Sequence, residues 1–139
     1  MSNLSSILGI VSRLVNGTTQ VPVVYPDGAN PTLLTGDVTG WTYGSYAEIV
    51  AASVLTGHNL IGMTIYMNQG DYFQIQIAQG TTVVGTFMAF SISVVGPGFY
   101  IPIDPPIQIP VNAQVQGRIR AENGSRTCRV ALTFVPRPI

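Results

Sequence analysis

Residues 113–134 read Ala113-Gln114-Val115-Gln116-Gly117-Arg118-Ile119-Arg120-Ala121-Glu122-Asn123-Gly124-Ser125-Arg126-Thr127-Cys128-Arg129-Val130-Ala131-Leu132-Thr133-Phe134. Asn-Gly is the preferred pair for a two-residue type I′ turn, so this stretch reads as a β-hairpin closed at Asn123-Gly124. That closure sets Glu122 opposite Ser125, Ile119 opposite Cys128, Gly117 opposite Val130, Val115 opposite Leu132 and Ala113 opposite Phe134. Every inner pair is apolar or small, and a one-residue slip would expose the whole face. The same register predicts Arg118 directly opposite Arg129 on the outer face, with Arg120 beside them.

Working back along the chain, the period of two continues. In residues 72–79, Phe73, Ile75 and Ile77 fall on one face and Tyr72, Gln74 and Gln76 on the other. Residues 46–54 and 60–67 read as two further strands, the first ended by Thr56-Gly57-His58-Asn59 as a turn. Residues 82–95 are long and apolar, with Gly85 marking a bulge or bend. Residues 99–109 carry Pro102, Pro105 and Pro106. They are extended but excluded from the middle of a sheet. Residues 20–25, with Pro22, suit a sheet edge, and residues 26–31 form a turn-rich connector.

Near the N-terminus, Leu4, Ile7, Leu8, Val11, Leu14 and Val15 have the spacing of a short amphipathic helix stopped at Asn16-Gly17. An arm ordered only against a neighbour has the same spacing. The expected organisation is a helix or arm with a connector over residues 1–39, then a β-sandwich or jelly roll over residues 40–139. The fold class is all-β and antiparallel.

The charge content is unusual. Six basic and six acidic residues make 9% of 139, none is lysine, and the net charge is zero with a mean hydropathy of +0.36. A free globular chain is typically about one-quarter charged. No apolar run reaches the roughly 20 residues of a membrane-spanning helix, and a membrane partner is not expected. The economical reading is a surface covered by other protein chains. The start of the chain lacks a signal-peptide pattern, since Arg13 interrupts the apolar stretch. Asn16-Gly17-Thr18 and Asn123-Gly124-Ser125 match the glycosylation sequon but read as turns in a chain made in the cytoplasm.

Catalytic constellations are missing from the sequence. The only histidine, His58, sits in an expected turn, and the only cysteine, Cys128, lies on an inward face. The six carboxylates are scattered, no metal-ligand spacing occurs, and no phosphate-loop pattern is present. An enzyme, a cofactor and a metal site are therefore not expected.

The arginines are more telling. Five of six (Arg118, Arg120, Arg126, Arg129, Arg137) follow residue 117, whereas five of the six acids precede residue 112. Like charges opposite one another across a strand pair are destabilising, so Arg118, Arg120 and Arg129 call for an anionic partner. Either an acid of this chain such as Glu48 or Asp71 supplies it, or a carboxylate of a neighbouring subunit does. Nucleic acid is disfavoured by zero net charge and by the lack of aromatics interleaved with the arginines. The Gln74 and Gln76 face omits the lysines that normally guard strands against pairing. The expected partner-binding residues are thus Arg118, Arg120, Arg129, Gln74 and Gln76. Trp41, Tyr43 and Tyr46 read as a core-sealing cluster at a strand entrance or, alternatively, as a sugar-binding platform.

Trp41-Thr42-Tyr43-Gly44-Ser45-Tyr46-Ala47-Glu48-Ile49-Val50, then Gly62, then Gln74-Ile75-Gln76-Ile77, resemble small β-sandwich virion proteins of tailed bacteriophages. Pro102-Ile103-Asp104-Pro105-Pro106-Ile107-Gln108-Ile109-Pro110 and Gln116-Gly117-Arg118-Ile119-Arg120 fit the same resemblance, which spans about residues 40–135. The nearest class is the jelly-roll cement, or capsid decoration, protein. This resemblance implies a dimer or trimer bound to the outer surface of a major capsid protein shell, bracing it against packaged DNA. It also implies a virion location after assembly in the host cytoplasm, and it carries no catalytic residues. Phage tail or connector components, and receptor- or carbohydrate-binding sandwiches, share the pattern.

Overall fold

A computed structural model of the chain describes residues 21–27, 29–67, 70–91 and 98–137. The expected N-terminal helix lies outside the described residues. Among these residues all regular elements are strands: β1 (Val23–Tyr25), β2 (Thr32–Thr35), β3 (Ala47–Val50), β4 (His58–Met67), β5 (Asp71–Gln79), β6 (Thr82–Ser91), β7 (Phe99–Ile109), β8 (Val115–Ala121) and β9 (Thr127–Pro136).

The strands form two antiparallel sheets. The first has the order β1-β9-β4-β7, with β2 also on β9; the second has the order β3-β8-β5-β6. β1 and β2 pair with successive stretches of β9, Val23 opposite Phe134 and Thr32 opposite Val130, so they act as two halves of one edge strand. The connector between them turns on Asp27, whose Oδ1 accepts the N–H groups of Ala29 and Asn30. Counting β1 and β2 together, the outermost strands of the chain pair with each other, and so on inward: β1/β2 with β9, β3 with β8, β4 with β7, β5 with β6. The described strands form one long hairpin, folded at Gly80-Thr81 and rolled so that successive pairs fall in alternate sheets. That is a single jelly roll. Gly80 has φ +59°, the left-handed backbone that a tight hairpin turn requires.

The core is the alternate residues of both sheets. Leu60, Met63 and Ile65 of β4 and Val130, Leu132 and Phe134 of β9 meet Phe73, Ile75 and Ile77 of β5 and Ile119 of β8, all fully buried. A register shift in β4 between Leu60 and Gly62, seen against both β7 and β9, turns Leu60 and Met63 to the same side. The bulge expected at Gly85 is present: Ile77 faces Gly85 but Ala78 faces Val83, leaving Val84 as the extra residue. The proline-bearing β7 is an edge strand, as its prolines dictate.

The hairpin at Asn123-Gly124 does not form. β8 and β9 lie in different sheets, facing each other across the core instead of sharing a ladder. A type I′ turn needs positive φ at both central residues; here the positive φ falls on Ser125, at 57°. Gly124 serves close approach instead, since a Cβ there would lie 1.8 Å from the Val38 carbonyl oxygen. The β2–β3 connection inserts against this corner: the Ser125 N–H donates to Asp37 O, Gly36 N–H to Arg126 O and Trp41 N–H to Ala121 O.

Three further expectations change. The sandwich is already under way at Val23 and does not begin at residue 40, because β1 and β2 are part of the first sheet. His58 and Asn59 open β4 instead of ending a turn, and the strand expected over 46–54 is only the four residues of β3.

Candidate functional site

The outer face of the second sheet is built by β8 and β5. Gln74 stands opposite Arg120 and Gln76 opposite Arg118 in the ladder. Because Val115, Ile119 and Ala121 are drawn into the core, the intervening Gln116, Arg118 and Arg120 must point outward. The Arg118 Nε–H donates to Gln76 Oε1 at 2.9 Å, and the Arg120 Nε–H donates to Gln74 Oε1. Gln74 Oε1 also accepts the Tyr43 hydroxyl at 2.7 Å.

The segment preceding β3 lays three aromatic rings over these arginines. Arg118 Cζ is 4.5 Å from the ring centroids of both Tyr43 and Tyr46. Arg120 Cζ is 4.8 Å from Tyr43 and 5.7 Å from Trp41. The contacts run Tyr46–Arg118–Tyr43–Arg120–Trp41, alternating ring and cation. Each such contact contributes about 0.5–1 kcal/mol at a partly exposed site, which offsets the repulsion between two like charges on one strand. Burial raises the Tyr43 pKa above its ordinary value, against the opposing pull of Arg120 and Arg118.

Trp41 anchors the end of this row by its backbone. Its N–H donates to Ala121 O at 2.7 Å, and its φ is +56°, rare for a bulky side chain. The indole is 44% exposed, so Trp41 does not seal the core. Trp41, Arg120, Gln74 and Met88 line a shallow depression of about 360 Å³. Beside it, exposed Tyr72 and Phe90 stack at 4.2 Å.

No side-chain carboxylate of the described residues pairs with either arginine. All six acids of the chain are among those residues. Glu48 instead accepts from Gln114 Nε2 at 2.6 Å. Asp71 is taken by the corner between β8 and β9. Its Oδ2 receives the Asn123 N–H, Asn123 Nδ2 and Arg126 Nε, the last at 3.0 Å, and its Oδ1 receives the Tyr72 N–H. Burial pushes the Asp71 pKa up, but these donors outweigh it and hold the carboxyl below its ordinary value.

Of the five expected partner-binding residues, Arg118, Arg120, Gln74 and Gln76 come together. Arg129 does not: it is on β9, exposed on the outer face of the first sheet, between Leu33 and Tyr66 in the ladders, with Nη1 3.4 Å from Pro31 O. Aromatics do interleave with the arginines, contrary to the sequence reading. They come from residues more than 70 positions earlier, where no local pattern could reveal them.

His58 and Cys128 do not meet. His58 opens β4 and Cys128 pairs with Met67 at its other end, so nine residues of strand, about 30 Å, separate them. The His58 ring is buried edge-on against Phe134, and burial together with Arg137 lowers its pKa. Burial pushes the Cys128 thiol up to about 12. Among the described residues no group of three or more His, Cys, Asp or Glu could hold a metal ion.

No protein-family model matches the chain, and no curated protein matches it. Among solved structures it is similar to the infectious bursal disease virus Gx strain structure, with 17% identity, a TM-score of 0.36 and coverage of 86% of this chain and 32% of that one. The VP2 subviral particle of infectious bursal disease virus gives 15% identity, a TM-score of 0.34 and coverage of 86% and 30%. The chain spans about a third of the length of these structures.

Proposed function

We propose that this chain is a non-enzymatic structural virion protein, a capsid decoration protein that sits on the outer surface of a major capsid shell and stabilises it. The observation that carries the reading is the outer face of the second sheet. Two arginines with no side-chain carboxylate partner among the described residues lie against half-buried Tyr43 and Tyr46 and exposed Trp41, in a chain of zero net charge and no lysine. Such a face is complementary to a neighbouring subunit and poorly suited to open solvent. The resemblance to phage cement proteins supplies the partner, with self-association as dimer or trimer. Many weak contacts repeated over a shell would add through avidity.

Electron cryomicroscopy of the particle that copurifies with the chain tests this reading. Hundreds of copies spread over an icosahedral shell are expected; copies confined to one vertex or a tail would overturn the decoration role. The exposure of Trp41 beside its depression favours a second reading, a tail or receptor-binding component that recognises carbohydrate. Glycan-array binding lost in Trp41→Ala would select it.

A further inference from the structure

We infer that the Arg118–Arg120 row is a carboxylate-reading site for an extended acidic peptide segment of a partner chain, with its two carboxylates at positions i and i+2. For the identity of the partner this rests on the assembly reading above; the chemistry does not depend on it.

Three observations converge. First, both guanidinium groups are held in place before any partner arrives. Each lies over aromatic rings and each donates Nε–H to a glutamine that the opposite strand fixes in register. Second, neither arginine's terminal nitrogens hydrogen-bond to a described residue, and every carboxylate side chain of the chain is accounted for elsewhere or unpaired with them. The two Nη edges are therefore left as bidentate donors, the geometry that matches a carboxylate. Third, Arg118 and Arg120 are two residues apart on one strand, so their Cα atoms lie about 6.6–6.8 Å apart and both side chains leave the same face. An extended peptide presents alternate side chains on one face at the same repeat. Acids at i and i+2 meet both forks, whereas adjacent acids point to opposite sides.

The same geometry disfavours nucleic acid. Nucleotide bases need open ring faces, and here guanidinium groups already lie over the Tyr43 and Tyr46 rings. A row of two cations in a chain of zero net charge also lacks the extended basic track of a nucleic-acid channel.

The chain carries its own reporter, since Trp41 is its single tryptophan and lies against Arg120. Capped peptides of equal composition, with two glutamates at i and i+1, at i and i+2 or at i and i+3, are titrated into the full chain while Trp41 emission is followed. The i/i+2 peptide is expected to bind at least about tenfold tighter than the others, and more weakly as salt rises. Arg118→Gln with Arg120→Gln abolishes this binding while the variant still unfolds in one cooperative transition. Arg118→Lys with Arg120→Lys keeps a weak salt-dependent affinity but loses the spacing preference.

Binding indifferent to spacing, or no binding, overturns the proposal. So does tighter binding of a sialylated or sulfated oligosaccharide, or of a single-stranded oligonucleotide, than of any peptide. Peptide selectivity without shell decoration would leave this site standing and remove the decoration reading. Decoration without peptide selectivity would do the reverse.

Discussion

Arg118 and Arg129 point away from each other, on the outer faces of different sheets, with the whole core between them. Each has its own surroundings: Tyr43, Tyr46 and Gln76 for Arg118, Pro31 O for Arg129. Charge reversal at the two sites is therefore expected to be independent. The stability changes of Arg118→Glu and Arg129→Glu, measured by urea unfolding, should add in the double variant to within about 0.5 kcal/mol. Arg118→Glu combined with Arg120→Glu should depart from additivity, because both arginines contact Tyr43. Strong coupling between residues 118 and 129 would mean that β8 and β9 share a sheet after all.

Asp71 ties the start of β5 to the corner between β8 and β9 through Asn123 and Arg126. Its side chain is 1% exposed, so removing it leaves the Asn123 donors and half-buried Arg126 without their acceptor. Asp71→Ala is expected to cost about 2 kcal/mol in urea unfolding. The carboxyl's folded pKa lies below its ordinary 3.8, so the stabilisation is complete above that value and is lost as pH falls through the folded one. In Asp71→Asn the slope of stability against pH below about 4 should flatten. An unchanged acid slope would show that Asp71 is not the group being protonated.

His58 opens a second acid window at higher pH. Its Nδ1 is buried without a hydrogen-bond partner among the described residues, and burial and then Arg137 lower its pKa from 6.5. The neutral ring is the folded form. Stability is therefore full above about pH 6.5 and declines as pH falls from there towards the folded pKa, because the unfolded chain takes up the proton first. His58→Leu, which fits against Phe134 and forfeits no Nδ1 hydrogen bond, should keep the midpoint level between pH 7 and pH 5 where the parent falls. A parallel decline in both would move the effect to another group.

The alternation of Val115, Gly117, Ile119 and Ala121, and of Cys128, Val130, Leu132 and Phe134, is legible as two strands each with one buried face. What the pattern cannot distinguish is a pair side by side in one sheet from a pair facing across a sandwich. Both put the same residues inward, and the apparent hairpin register was a consequence of that parity. The glycine at position 124 looked like turn chemistry because the demand it meets, approach to Val38 O, comes from a segment 86 residues earlier. Gln74, Gln76, Arg118 and Arg120 were legible as an outward face for the opposite reason, since polar residues alternating with buried ones depend only on local period. β2 went unread: four residues following a proline-rich connector carry too little periodicity to register. The ring–cation contacts were out of reach of any local pattern, since Trp41 meets Arg120 only after the β2–β3 connection folds onto Ala121 O.

Trp41 holds its indole over Arg120 from a backbone conformation that L-residues avoid, φ +56°. Left-handed backbone costs an L-residue roughly 1–2 kcal/mol, a cost glycine does not bear. Comparing Trp41→Gly with Trp41→Ala isolates this, because both variants lose the indole and its contacts alike. At an ordinary φ alanine would be the more stable, by about 0.4–1 kcal/mol, through the lower entropy of its unfolded chain. Here the order is expected to reverse, with Trp41→Gly more stable than Trp41→Ala by about 0.5–1 kcal/mol in urea unfolding. Both variants should lose peptide binding at Arg120 to similar extents, read by calorimetry since the fluorophore is gone. An alanine variant more stable than the glycine one would show that the segment before β3 does not hold the left-handed turn. The ring would then reach Arg120 by another backbone path.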